Sequence, residues 1–218
     1  IHAGNITQSA GVDLAASGIT LDSSSDQTVT FQHALTDLTI EDPTETGLVG
    51  YWKFDEGQGR IAKDSSGNSN TGTLVSGGTG LNWKAGTGAG VQFDNAYALD
   101  FDGTDDYVDP VNIALNAQGH TIALWLKPDA IGNLDGIIYD GTTGFEGIRF
   151  TSSAELDYYS SGASADPSDF AFPTNAWTHA SFVHHGTYAT NYFNGVFDKT
   201  RAINLMSGVR IIGYDGQK

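Results

Sequence analysis

An all-β fold, two antiparallel sheets packed as a sandwich, is what this sequence predicts, and three observations predict it. Glycine occurs 28 times among frequent Ser, Thr, Asn and Asp, with 11% aromatic residues and one methionine, a composition of short strands joined by tight turns. Short apolar or alternating runs recur along the chain in place of helix-period stripes. Between them stand Asp102-Gly103, Asp135-Gly136, Asp140-Gly141, His185-Gly186 and Asn194-Gly195, pairs that accept the positive φ required by hairpin turns.

Residues 1–27 are small and polar, with weak apolar spacing at Ile6, Val12, Leu14, Ile19 and Leu21, and are expected to form an N-terminal arm or the end of a preceding region. Residues 28–40 alternate well enough for one strand, or two with a bend, before the acidic, proline-bearing stretch 41–47 stops them. Residues 48–54 would supply the hairpin partner, and the sandwich is expected to occupy 28–218. Further strands are expected at 98–101, 107–108, 121–127, 136–139, 147–150, 155–159, 177–184, 189–193 and 209–213. In 121–127, Ala123, Trp125 and Lys127 alternate with Ile122, Leu124 and Leu126, so the strand is apolar on nearly both faces and is expected to be central. Trp52, Trp125 and Trp177 fall within strands and read as core. Residues 160–175 read as a long loop with Phe170 and Phe172 inside it, and loops of that length tend to be functional.

With 26 Asp+Glu against 10 Lys+Arg, the formal charge is −16. A long-range field of that sign attracts cationic partners or metal ions, and it disfavours nucleic acid and anionic membranes. No apolar run approaches bilayer length, so no membrane insertion is expected. Cysteine is absent, which removes disulfides and thiolate metal sites.

Five stretches, in order and spacing, resemble the laminin-G-like family of concanavalin A-like jelly rolls. They are Gly47-Leu-Val-Gly-Tyr-Trp-Lys-Phe-Asp-Glu-Gly57, Asp64-Ser-Ser-Gly-Asn68, Ala98-Leu-Asp-Phe-Asp-Gly103 with Asp106-Tyr-Val108, residues 121–128, and Trp177-Thr-His-Ala-Ser-Phe-Val183 followed by Tyr192-Phe-Asn-Gly-Val196. The resemblance covers roughly residues 47–213 and implies a two-sheet antiparallel jelly-roll sandwich that commonly binds calcium and glycans or extracellular proteins. After 209–213 the family normally adds two more strands, and residues 31–42 resemble the missing terminal strand. That segment, 28–42 in its widest extent, could close its own sandwich as a permuted strand, finish a preceding repeat, or be donated to a neighbouring subunit. The last case would make the protein a self-associating filament or surface-layer subunit.

The best ligand cluster is the glycine-turned loop 64–70, where Asp64, Asn68 and Asn70 offer the oxygens that suit calcium. The same residues could equally serve to bond the backbone of a turn. The family pattern implies that a second acid, at Asp37, completes the site. Asp102, Asp105 and Asp106 form a second acidic loop, which solvated turn acids explain at least as well. For glycan binding the usual device is an aromatic beside polar groups, and Trp83, Tyr158, Tyr159, Phe170 and Phe172 are the candidates, with Tyr97 and Tyr188 also in or near loops. Glucanases of this fold carry a triplet of acids on one strand. Glu155-Leu-Asp157 supplies a same-face pair, but Tyr159 and Ser160 stand where the third acid should fall. His179, His184 and His185 lack a metal or base motif and read as surface or packed residues. The function expected is a secreted, non-catalytic adhesion or recognition module, calcium-stabilised, with a glycan or extracellular protein as partner. The alternatives are the filament subunit and a polysaccharide-cleaving enzyme.

Overall fold

A computed structural model describes residues 6–8, 29–31, 47–76, 81–86, 95–110, 113–116, 119–132, 135–140, 146–160, 163–164, 167–202 and 208–213. Contacts divide the chain into two compact units, Ile1–Glu45 and Thr46–Lys218. In the first, β1 (Ile6–Gln8) pairs in parallel with β2 (Val29–Phe31). Residues 32–42, which hold Asp37 and most of the segment resembling a closing strand, lie outside the described residues.

The second unit is all-β, with no helix among the described residues. Its strands begin with β3 (Ile61–Ala62), β4 (Gly72–Val75), β5 (Asn82–Ala85), β6 (Tyr97–Asp100), β7 (Tyr107–Asp109), β8 (Ile113–Ala114), β9 (His120–Leu126) and β10 (Gly136–Tyr139). They continue with β11 (Gly147–Phe150), β12 (Leu156–Ser160), β13 (Ala163–Ser164), β14 (Thr178–His185), β15 (Tyr188–Phe193), β16 (Val196–Ala202), β17 (Gly208–Val209) and β18 (Ile211–Ile212). Eight strands form one sheet in the order β13-β12-β11-β10-β18-β7-β4-β3, and four form another in the order β16-β15-β14-β9. Strands β5 and β6, and β8 and β17, pair separately.

Alternation explains the packing. Ile148, Phe150, Leu156 and Tyr158 turn one face of the large sheet inward, while Ala180, Phe182, Ala189 and Phe193 do the same for the small one, and together they form one core. A second cluster, Ala62, Leu74 and Val108, lies under β5 and β6 residues, and Trp52 and Ile212 pack against both. Hairpin chemistry sets the small sheet's register. Asn194 and Gly195, at φ 50° and 78°, make the two-residue turn that pairs Phe193 with Val196. Gly186, at φ 60°, opens the turn that pairs His185 with Tyr188.

Several expectations need correction. Among the described strands β9 lies at the edge of the small sheet, not at its centre, and Trp125, on the face away from the core, is 38% exposed. Of the expected hairpin between 28–40 and 48–54, residues 28 and 32–40 lie outside the described residues; within the second unit Trp52 makes a bridge to Asp64. Gly136 begins β10 beside a bulge and has no positive φ. Strand β18 lies between β10 and β7, inside the large sheet.

Candidate functional site

The outer face of the four-stranded sheet carries a group of exposed and half-buried aromatic residues. Register and alternation bring Trp125 beside His179, and Ser181 beside Tyr192 and Phe197, while Thr121, Val183, Thr190 and Thr200 form the next row. Trp125 and His179 have ring centroids 5.2 Å apart at 56°, and Tyr192 and Phe197 are 6.1 Å apart at 74°. Phe197 is 59% exposed, and Tyr188 is also exposed at the end of the hairpin. Strand spacing and rise place Trp125 and Phe197 roughly 15 Å apart, on opposite edge strands of one flat face. These rows contain no carboxylate, on a chain of formal charge −16. Such a face offers aromatic planes, hydroxyls and an imidazole, with the exposed Lys127 following Trp125 on the same side of the strand. Burial holds His179 below the ordinary histidine pKa, so it presents a neutral ring.

The Asp64 carboxylate is the hydrogen-bonding centre of its loop. Burial pushes the Asp64 carboxyl up, but hydrogen bonds outweigh it and hold the pKa below its ordinary value. Oδ1 accepts from the backbone N–H of Tyr51 at 2.9 Å and of Ser66 at 2.8 Å. Oδ2 accepts from Ser66 Oγ and from the Asn70 N–H, both at 2.8 Å. A carboxylate has about four lone-pair sites, and all are taken by N–H and O–H donors. Asn68 and Asn70 turn their Nδ2 groups toward the carbonyls of Leu48 and Val49, at 2.7 Å and 2.8 Å. These bonds clip residues 48–52 to the loop. The second acidic loop differs: Asp102, Asp105 and Asp106 each place a ligand oxygen within 4.8 Å of the others.

The aromatics proposed from sequence fall mostly inside. Tyr158, 1% exposed, and Phe172 belong to the core and present no ring to a glycan, while the partly buried Phe170 stacks on Phe193 at 4.7 Å with Phe172 edge-on to both. The loop that carries Phe170 and Phe172 is thus a packed cover. Trp83 packs against the second cluster and donates from Nε1 to Gly59 O at 3.1 Å. Tyr159 is a residue of β12 whose side chain lies outside the described residues, as does Asp37. Of the paired acids, Asp157 is fully buried and ion-paired to Arg149 at 3.2 Å, while Glu155 accepts from Thr151 Oγ1 at 3.3 Å. His184 is buried on the inner face, stacked on His120 with centroids 4.7 Å apart, and His185 is exposed. Phe197 and Tyr192 were not among the sequence candidates, although Asn194-Gly195 fixes the hairpin that sets them side by side.

A family model described as concanavalin A-like lectin/glucanases superfamily matches residues 102–211, half of the chain. The chain belongs to that superfamily. Among solved structures, domain 4 of AbnA, a GH43 extracellular arabinanase from Geobacillus stearothermophilus in complex with arabinotriose, is similar at 17% identity. That match covers 79% of this chain and 85% of the other, with a TM-score of 0.60. Alginate lyase AlgAT5, from polysaccharide lyase family 7, matches at 12% identity over 70% of this chain and 68% of the other, with a TM-score of 0.37. No curated protein matches the chain. The two sheets described above are the sandwich of that superfamily.

Proposed function

We infer that this protein is an extracellular, non-catalytic module that holds a neutral glycan against the outer face of its four-stranded sheet. The observation that carries the reading is the carboxylate-free aromatic face formed by Trp125, His179, Ser181, Tyr192 and Phe197 on an otherwise acidic protein. Sugar rings present apolar C–H faces that pack on aromatic planes, while their hydroxyls pair with Ser181, Thr200 and the His179 imidazole. A polyanionic glycan would be repelled by the net charge, so the partner is uncharged. A domain of this fold in an extracellular arabinanase is seen with arabinotriose, which makes arabinan oligosaccharides the first probe. Non-catalytic action is supported by Asp157, one of the glucanase-like acid pair, being buried against Arg149.

The test is calorimetry and affinity electrophoresis against neutral polysaccharides, with reducing-end release measured in parallel. Binding without release of reducing ends is expected. Trp125→Ala and Phe197→Ala should each weaken it about tenfold. Undiminished affinity in the double variant would sink the assignment to this face, and steady release of reducing ends, lost in Glu155→Gln, would replace binding by catalysis.

A further inference from the structure

Two observations set the N-terminal unit, Ile1–Glu45, apart from the sandwich. Its strands β1 and β2 run parallel, whereas every named strand pairing in the second unit is antiparallel. Ile6 lies opposite Val29, Thr7 opposite Thr30 and Gln8 opposite Phe31, a constant offset of 23 residues. The sequence repeats at nearly the same interval. Ile6-Thr7 matches Val29-Thr30 and, after the extra residue Phe31, Gln8-Ser-Ala-Gly-Val-Asp-Leu14 matches Gln32-His-Ala-Leu-Thr-Asp-Leu38, with Gln, Ala, Asp and Leu at the same places. An apolar–Thr–apolar triplet then recurs at Ile19-Thr-Leu21 and Leu38-Thr-Ile40. A repeat whose period is also the offset of a parallel pairing describes successive coils of a β-solenoid. Parallel neighbours are otherwise joined by a crossover helix, but Gly11, Gly18 and the serine run 23–25 leave no uninterrupted stretch of ordinary helix length between these strands.

We propose that Ile1–Glu45 is a pair of β-solenoid coils whose open β2 edge takes, in parallel, the β1 strand of a second copy of this chain. Among the described residues β1 and β2 have no further strand neighbour, so each presents an unpaired row of backbone N–H and C=O groups. Two strands alone are marginal in water, and solenoids need about three stacked coils for stability. Because the two coils are repeats, what β1 offers β2 within the chain is offered again by β1 of the next copy, with isoleucine opposite valine and threonine opposite threonine. The two edges are different surfaces, so the contact is head to tail and propagates rather than closing on a dimer. Residues 1–45 contain several acids and no lysine or arginine, so copies repel one another at low salt and associate better when salt screens them. This route differs from the donation of residues 28–42 to a neighbouring sandwich, because no sandwich edge takes part. The proposal is independent of the glycan reading.

Sedimentation velocity and hydrogen exchange of the full chain across a dilution series, in sodium chloride at about 0.05 M and about 0.5 M, test it. With rising concentration the mass should climb from monomer through dimer to longer species, further at the higher salt. Amide protection at residues 6–8 and 29–31 should rise about tenfold or more over the same series. Thr7→Pro and Thr30→Pro each remove a strand N–H and should abolish the larger species. The urea midpoint read by tryptophan fluorescence should not move in either variant, since Trp52, Trp83, Trp125 and Trp177 all lie in the second unit. A synthetic peptide of residues 5–28, one coil, should occupy the β2 edge of the native chain and hold it below dimer mass. A monomer at every concentration and salt overturns the proposal, as does a closed dimer with nothing larger. Protection that rises at β9 or β16 instead, assembly undiminished in both proline variants, or assembly indifferent to excess peptide overturns it equally.

Discussion

The two faces of the small sheet are made by the same four strands and alternate residue by residue, yet they present opposite surfaces. The inner face buries Ala180, Phe182, Ala189 and Phe193 against the large sheet. The outer face sets Trp125, Tyr192 and Phe197 at or near solvent, with Ser181 and His179 between them. Aromatic residues thus stabilise the fold from one side and are available to a ligand from the other, and a one-residue slip in register would exchange the roles. The difference lies in whether a second layer covers the ring, a tertiary fact that side-chain identity does not contain.

The sharpest way to test that contrast is truncation on the inner face. Phe182 is almost fully buried, so Phe182→Ala removes its transfer free energy and leaves a cavity, and urea unfolding should show a loss of about 3–5 kcal/mol. Asp64 extends the contrast to polar groups. Asp64→Ala leaves the N–H groups of Tyr51, Ser66 and Asn70 without their acceptor, and a loss of about 2–4 kcal/mol is expected. A loss under about 1 kcal/mol would mean that water replaces the carboxylate and that the clip is dispensable.

How much of this was legible depends on the scale of the question. The hairpin at Asn194-Gly195 and the strands around it could be read directly, because positive-φ chemistry and alternation are local. Strand β16 was missed, since Val196-Phe-Asp-Lys-Thr-Arg-Ala202 mixes charges into its alternation. Trp125 was read as core because Ile122, Leu124 and Leu126 made its strand apolar on the other side as well; nothing local says that β9 is an edge. Asp64 and Asp106 look alike in sequence, each an acid in a glycine-containing turn. Only the donors around the Asp64 carboxylate mark it as a clip. Phe170 and Phe172 read as loop aromatics because their partner Phe193 is distant in sequence.

The inner face also carries a titratable weakness. His120 and His184 are cross-strand partners stacked at 4.7 Å, and neither ring nitrogen of His184 has a hydrogen-bond partner among the described residues. Burial, first, and then repulsion from His120 and His185 hold His184 below the ordinary 6.5, and burial also lowers His120. The same cross-strand row continues through Ala189 to Arg201, a further cation. In the unfolded chain these histidines bind protons near pH 6.5, whereas in the fold they resist. Their contribution is therefore complete above pH 6.5 and is lost as pH falls from there through the lowered folded pKa. Urea midpoints measured from pH 7.5 to pH 5 should decline, and the decline should shrink in His184→Leu. An unchanged slope in that variant would place the sensitivity elsewhere.

On the outer face the expected stability effect is smallest and the functional effect largest. Phe197 is 59% exposed and touches Tyr192 edge-on, so Phe197→Ala should change unfolding free energy by only about 0.5 kcal/mol. If the face binds glycan, the same substitution weakens the complex about tenfold, since the ring is buried only when a sugar covers it. The pairing of a near-silent unfolding curve with a clear binding defect is the signature of a surface kept apolar for a partner. Should Phe197→Ala instead unfold the protein as Phe182→Ala does, the outer ring would have to be packed against another part of the chain, and the two faces would no longer be different in kind.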